Sequence, residues 1–323
     1  MEKYDLGFFP TPLHKLKNLS EKYSGYSIYI KRDDCTGLAS GGNKTRKLEY
    51  LISDAINKGS DTVITAGAQQ SNHCRQTAAA CAQANLKCYL LLGGNKPDLY
   101  TGNLLLSKML GAEIIFTGDK RKGEDLEILA DDLRTKGSNP YIVPYGGSNI
   151  IGAQGFIEAV RELKEQMALL KLRFDYIFFA SSSAGTQAGL TLGQIIYNLE
   201  ARLMPVSIDK DEVNGLKLDQ AVLNLVNEGK HLFNTGGSLN LNDVKLIEDY
   251  NSPGYAAITE NEKEAIAEMA ETEGILLDPV YTGRAFYGMM DHIRRGLLKP
   301  DSNILFWHTG GLPAMFYYAE KLQ

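Results

Sequence analysis

Cysteine is scarce in this sequence. Four occur among 323 residues, Cys35, Cys74, Cys81 and Cys88, and none forms a C-x-x-C pair of the kind that marks zinc or redox sites. An alanine-rich helix would carry Cys74 and Cys81 on one buried face, where small free thiols are ordinary. The five histidines, His14, His73, His231, His292 and His308, are scattered without zinc-ligand spacing, so no metal site is expected. Positive charge is not in excess either. Lys and Arg number 34 against 39 Asp and Glu, a net charge of −5, the wrong balance for a nucleic-acid partner. The longest apolar runs, such as 176–180, fall far short of the ~18 residues that span a membrane. Residues 1–10 hold Glu2, Lys3 and Asp5 and no apolar core, unlike a signal peptide. A cytoplasmic protein is expected.

Glycine is in surplus, with 32 residues where ~7% of the chain is usual. It is used where backbone turns sharply or comes close to a ligand. At this length and 44% apolar content a large core and two domains are expected. Short apolar runs at 27–31, 61–66, 87–92, 112–117, 140–143, 174–180, 204–208 and 302–307 read as strands. Amphipathic stretches at 44–58, 71–85, 102–110, 125–136 and 152–170 read as helices between them. The alternation predicts an α/β fold of open, mostly parallel sheets flanked by helices. There is no internal repeat, and the polar stretch 233–249 reads as a surface loop.

Leu48, Leu51, Ile52, Ala55 and Ile56 recur at helical spacing, so the helix that begins near Lys44 buries one face. Asn43 or Ser40 stands where a cap would start it and Gly59 where a glycine would end it. The run from Gly37 through Gly42, Asn43, Lys44 and Thr45 approaches a P-loop, but Asn43 intervenes between glycine and lysine and moves the ammonium off the phosphates. A covalent role is the alternative. A first-turn lysine feels the positive helix end, and Lys31, Arg32, Arg46 and Lys47 add positive charge nearby. Both favour the neutral amine, which can form a Schiff base with pyridoxal 5'-phosphate. On this segment alone, a solvated lysine on a basic helix end is the simpler reading.

A second segment decides against that simplicity. Ser181 to Gly189 follows an apolar strand and opens a helix, with Ser183, Ala184, Gly185 and Thr186 at the turn. Small residues there let backbone N–H groups converge on a phosphate, and the two hydroxyls add donors. The glycines are spaced four apart rather than as G-x-G-x-x-G, which disfavours a dinucleotide-binding alternative even though Asp209 follows the next strand. In a third segment, Gln69-Gln70-Ser71-Asn72-His73, Ser71 is placed as an N-cap. Open amides there would suit a substrate carboxylate, or the residues only cap the helix. Glycine turns at 146–148, 253–255, 278–283 and 308–311 complete the set. Tyr255 and Tyr281 gain weight because each adjoins one.

Together these motifs resemble the D-cysteine desulfhydrase and 1-aminocyclopropane-1-carboxylate (ACC) deaminase family of pyridoxal-phosphate enzymes, which have the tryptophan synthase β-like fold (fold type II). The resemblance rests on Ser40-Gly-Gly-Asn-Lys-Thr-Arg-Lys47, Gln70-Ser-Asn-His73, Ser183-Ala-Gly-Thr186, Asp278-Pro-Val-Tyr281 and His308-Thr-Gly-Gly311, in order from about residue 10 to 314. It implies that Lys44 holds the cofactor as a Schiff base, that 183–189 binds its phosphate, and that Asn72 lies by the ring hydroxyl. It also implies Tyr281 near the ring, Tyr255 near the substrate, and Ser71, Asn72 and His73 at the substrate carboxylate. A large domain of 1–47 and 159–323 with a small α/β domain of 48–158 inserted in it, and a homodimer, are further implications. So is a small amino-acid substrate.

In the deaminase branch a glutamate follows Asp-Pro-Val-Tyr, near the ring nitrogen, and a leucine precedes the last Gly-Gly. Thr282 and Thr309 stand at those places here, as in desulfhydrase-like members. A neutral hydroxyl holds a ring nitrogen protonated less well than a carboxylate does. β-Elimination of a good leaving group needs less electron withdrawal than opening a cyclopropane, so desulfhydrase activity is expected and ACC deaminase is the alternative. Ser182, Phe156 and Ala256 depart from the family's usual glycine, tyrosine and glycine. The glycines of the motif segments, Gly37, Gly41, Gly42, Gly146, Gly147, Gly155, Gly185, Gly189, Gly193, Gly254, Gly310 and Gly311 among them, are expected to converge around one phosphate-bearing cofactor.

Overall fold

Apolar runs separated by helix-length segments build two sheets in the computed structural model, which describes residues 2–210, 212, 213 and 215–323. Met1, where the expected large domain begins, lies outside the described residues. The strands are β1 (Leu13–Lys15), β2 (Tyr26–Arg32), β3 (Thr62–Ala68), β4 (Lys87–Gly93), β5 (Glu113–Phe116), β6 (Pro140–Ile142), β7 (Tyr176–Ser181), β8 (Arg202–Ser207) and β9 (Ser302–His308). The helices are α1 (Lys17–Lys22), α2 (Lys44–Asn57), α3 (Asn72–Gln83), α4 (Gly102–Met109), α5 (Leu126–Thr135), α6 (Ile150–Leu170), α7 (Gly185–Ile196), α8 (Leu218–Leu232), α9 (Glu260–Glu273), α10 (Thr282–Arg294), α11 (Leu312–Tyr317) and α12 (Ala319–Leu322).

The larger sheet runs β1-β2-β9-β7-β8 and the smaller β5-β4-β3-β6. Every pairing is parallel except β1 with β2, so the expected mostly parallel α/β fold is what the chain forms. The strands of the smaller sheet all fall between β2 and β7. Parallel strands covered on both faces read as continuous apolar runs, and β7 does. Phe178 and Ala180 join the core under α10, while Ile177 and Phe179 pack on the opposite face with Phe156 and Trp307. Each buried Ile or Phe among them contributes ~1.5–3 kcal/mol.

Three expectations need correction. Residues 233–249 are not a free surface loop, because Val244 and Leu246 are buried and Ile247 exchanges backbone hydrogen bonds with Pro205 and Ser207 at 2.8 and 2.9 Å. The segment covers the open edge of β8, the kind of edge that proteins cap. Asn43 does not cap α2, since it already has helical dihedrals and makes no side-chain cap bond. Gln76 of α3 does the work instead, its Oε1 accepting from Thr45 N at 2.9 Å. A partner 31 residues away is invisible to local sequence rules. At the other end Gly59 behaves as expected, at φ 67°, with Ser60 N bonded to Ala55 O.

The glycines, third, do not all gather at one ligand. A Cβ on Gly155 would come within 2.1 Å of Arg46 O, and one on Gly189 within 2.5 Å of Ala153 O, so these two let α2, α6 and α7 cross closely. A Cβ on Gly193 would press on Val160 and one on Gly37 on Phe8, while one on Gly254 would point into open space. Gly42 lies against Gly310, Gly146 against Ser183 and Gly311 against Asp278, so these glycines bring separate motifs into contact.

Candidate active site

Loops that leave the C-terminal ends of parallel strands meet in one cleft, where α/β sheets place their ligands. β2 leads to α2, β3 to α3, β7 to α7 and β9 to α11, and the turn after β6 adds Tyr145 and Gly146. The cleft is lined by Asn43, Lys44, Ser71, Asn72, His73, Tyr145, Gly146, residues 180–184, Thr186, Tyr281 and Thr309. Of the residues expected from sequence, Tyr255, Thr282 and Gly185 lie outside that lining.

Lys44 is half-buried as a residue, yet its Nζ is desolvated and its pKa falls to about 8. Burial is the cause, not the charge of the expected neighbours. Arg32 is paired with Asp34, Arg46 with Asp33 and Glu162, and Lys31 with Glu162. The basic run at the start of α2 is thus buried and largely neutralised, not solvated. Lys47 is the exception, buried with no salt bridge among the described residues and pushed well down by burial and by the charge of Lys44. Both amines donate to Gly146 O, at 3.3 and 3.1 Å.

Opposite them stands the start of α7. Ala184 takes φ 68°, a left-handed turn that costs a non-glycine residue strain. The first intrahelical bond there runs from Ala188 N to Ala184 O, so the amides of Thr186 and Gln187 precede it. Ser183 Oγ accepts from Ser148 Oγ at 3.0 Å, and Thr186 Oγ1 accepts from Asn43 Nδ2 at 3.3 Å. A Cβ on Gly185 would lie 2.8 Å from Lys47 Nζ, which places that amine beside the helix end. Sequence proximity gave Lys47 only a share in the positive charge around Lys44, and Tyr145 no role. Lys47 was legible in principle, one helical turn from Lys44 on the same face.

Ser71 caps α3 as expected, accepting from Cys74 N at 3.2 Å. His73 is buried, and Thr65 Oγ1 donates to Val143 O, so His73 Nε2 must donate to Thr65 at 2.9 Å. Its Nδ1 is then a bare acceptor with no partner among the described residues, and burial keeps the ring neutral. On the far wall Tyr281 and Tyr255 touch through their hydroxyls at 2.9 Å. Burial raises both phenols, so both stay protonated. Ala256, where glycine is usual, takes φ 58°. Thr282 is consumed locally, its hydroxyl donating to Asp278 Oδ1 and accepting from Asp278 N, both at 2.7 Å. Thr309 lines the cleft, its carbonyl accepting from Asn43 N at 3.0 Å.

The site therefore offers a desolvated primary amine, a helix start ringed by small polar side chains, an orphaned buried acceptor and two protonated phenols. That donor set suits a small phosphorylated aldehyde held on a lysine, and pyridoxal phosphate fits it. The class this suits is an α/β enzyme that works with a phosphorylated carbonyl cofactor. Residues 4–310 match the family described as "Pyridoxal-phosphate dependent enzyme", and the chain belongs to that family. A D-cysteine desulfhydrase of Klebsiella pneumoniae (strain 342) is 41% identical over 97% of this chain and 95% of its own. A protein of Pyrococcus abyssi (strain GE5 / Orsay), provisionally named a 1-aminocyclopropane-1-carboxylate deaminase, is 40% identical over 97% of this chain and 92% of its own. The crystal structure of an "ACC deaminase homologue" covers all of this chain and 95% of its own, with a TM-score of 0.91 at 39% identity.

Proposed function

We propose that the enzyme eliminates hydrogen sulfide from D-cysteine, consuming one water and releasing pyruvate and ammonia. The observation that carries this reading is the desolvated Lys44 amine facing the start of α7 across a cleft that Ser71 and Tyr281 also line. Bound pyridoxal phosphate supplies an aldehyde for attachment and a ring that withdraws electrons from the substrate's α-carbon.

The chain's residues do the rest. Thr186 with the neighbouring amides of α7, Ser183, and Lys47 as a point charge hold the phosphate. Lys44 Nζ would hold the cofactor's aldehyde carbon, and as a free amine it would remove the substrate's α-proton. Ser71 and the first amides of α3 hold the substrate carboxylate, with His73 beside them. Tyr281 Oη, hydrogen-bonded to Tyr255, passes a proton to the departing sulfur. Thr282 offers no carboxylate to the ring nitrogen, and it is tied into the Asp278 turn. That favours desulfhydrase over deaminase.

A homodimer in the cytoplasm, with a small domain of 48–158 whose joints fall inside α2 and α6, completes the proposal. Light scattering tests the dimer. For the chemistry, purified protein should be yellow and borohydride should fix the cofactor to Lys44. A colourless protein that takes up no pyridoxal phosphate would sink the enzyme class. D-cysteine, L-cysteine, β-chloro-D-alanine and ACC should then be compared. Release of 2-oxobutyrate from ACC at a rate rivalling sulfide from D-cysteine would overturn the choice of reaction.

A further inference from the structure

Arg75, one helical turn after Asn72 on α3, is a fully buried guanidinium with no carboxylate in salt-bridge contact among the described residues. Desolvation lowers its pKa to about 10, and the charge of Asp278 opposes that fall from a distance. Burying a cation without a counter-ion is costly, and such an arrangement is retained where the charge has a task. Its hydrogen bonds go to neutral oxygens only. Nη2 donates to Gly41 O at 2.6 Å, and Nη1 donates to Asn103 Oδ1 at 2.6 Å and Asn72 Oδ1 at 3.3 Å. Nε has no partner.

These bonds fix the polarity of two amides. Guanidinium only donates, so the Asn103 atom facing it is the oxygen. Asn103 Nδ2 must then face the other way, and it donates to Gln70 O at 2.9 Å and Asn72 Oδ1 at 2.8 Å. Asn72 Oδ1 thus accepts from both Arg75 and Asn103, and the amide nitrogen is the group left for the cleft that Asn72 lines.

We propose that Arg75 is a positioning residue. Through Asn103 it sets Asn72 Nδ2 toward the cleft, and its own charge backs that donor, so the corner recognises an anionic oxygen. This rests on the cofactor reading above. The oxygen is either that of the cofactor's ring hydroxyl or that of the substrate carboxylate, and the two are separable. Beside Asn72 the cleft is lined by the titratable groups Lys44, His73, Tyr145 and Tyr281; Lys47 and Cys74 interact with Lys44, and Asp278 acts on Arg75 from a distance.

Two variants test it. R75Q removes the charge. N103D cancels the charge by giving Arg75 a counter-ion, removes the donor to Asn72, and keeps Arg75 satisfied, so it carries the test if R75Q does not fold. The first readout is the pH at which the visible absorption of the pyridoxal-phosphate-loaded protein titrates, without substrate. Loss of a nearby positive charge favours the protonated form, so the midpoint should rise by about one pH unit in both variants. The second is the dissociation constant of 2-aminoisobutyrate, an amino acid with no α-proton, which should weaken about tenfold if the carboxylate is the partner. A moved midpoint assigns the ring oxygen, and a weakened constant assigns the carboxylate. Loaded variants with neither change overturn the inference even if their thermal stability has altered. A wild-type protein that binds no pyridoxal phosphate overturns the cofactor reading and this inference with it.

Discussion

Lys44 and Lys47 share one acceptor. Their amines meet at the carbonyl oxygen of Gly146, at 3.3 and 3.1 Å, and among the described residues neither is paired with a carboxylate. Only a neutral amine attacks an aldehyde, and the pKa of Lys44 is about 8 rather than the usual 10.5. Cofactor-free protein should therefore take up pyridoxal phosphate faster as pH rises, with a midpoint near 8. Stopped-flow absorbance measures it, and a midpoint near 10.5 would show that the amine is solvated. Lys44→Ala should lower turnover by about 10²–10⁴-fold and abolish borohydride fixation.

Removing the Tyr281 hydroxyl separates proton transfer from binding. Tyr281→Phe should slow sulfide release by about 10²-fold or more with little change in KM. Tyr255→Phe should cost less, because it acts through the 2.9 Å contact with Tyr281. Steady-state kinetics on D-cysteine decide the order. Equal losses would place both hydroxyls at the reacting atoms.

Glu162 ties Lys31 and Arg46 together behind α2. Burial would raise its pKa, but the Arg46 and Lys31 contacts outweigh it and hold the carboxyl at about 2, against 4.5 unperturbed. A depressed carboxyl stabilises the fold above its unfolded pKa, and that contribution is lost as pH falls from 4.5 toward 2. Glu162→Gln should cost about 3–5 kcal/mol at neutral pH, because it leaves the buried Lys31 amine without its carboxylate while Arg46 keeps only Asp33. It should also flatten the acid limb of stability. Urea denaturation between pH 2 and 7 tests both.

Thr282→Val removes a hydroxyl that both donates to and accepts from Asp278. A loss of about 1–3 kcal/mol is expected on chemical denaturation. Thr282→Glu should destabilise further, by setting a second carboxylate against Asp278, and should not confer ACC deaminase activity.

The strand at 302–307, the Ser71 cap, the buried Cys74 and Cys81 and the lysine at the head of α2 were legible in the sequence. Each depends on residues within a turn or two of one another. Periodicity and capping are local properties, and the five motifs are contiguous strings. The chain by itself also carried the family resemblance, and with it the cofactor.

Long-range contact decided the rest. Gln76 caps α2 from another helix, the run 233–249 is pinned by the edge of β8, and several glycines serve helix crossings, none of which local spacing encodes. Lys44 is depressed by the walls around it, because salt bridges to Asp33, Asp34 and Glu162 silence three of the four cations that sequence proximity had placed against it. Desolvation is a property of everything that surrounds an atom, and only the folded chain assembles those surroundings.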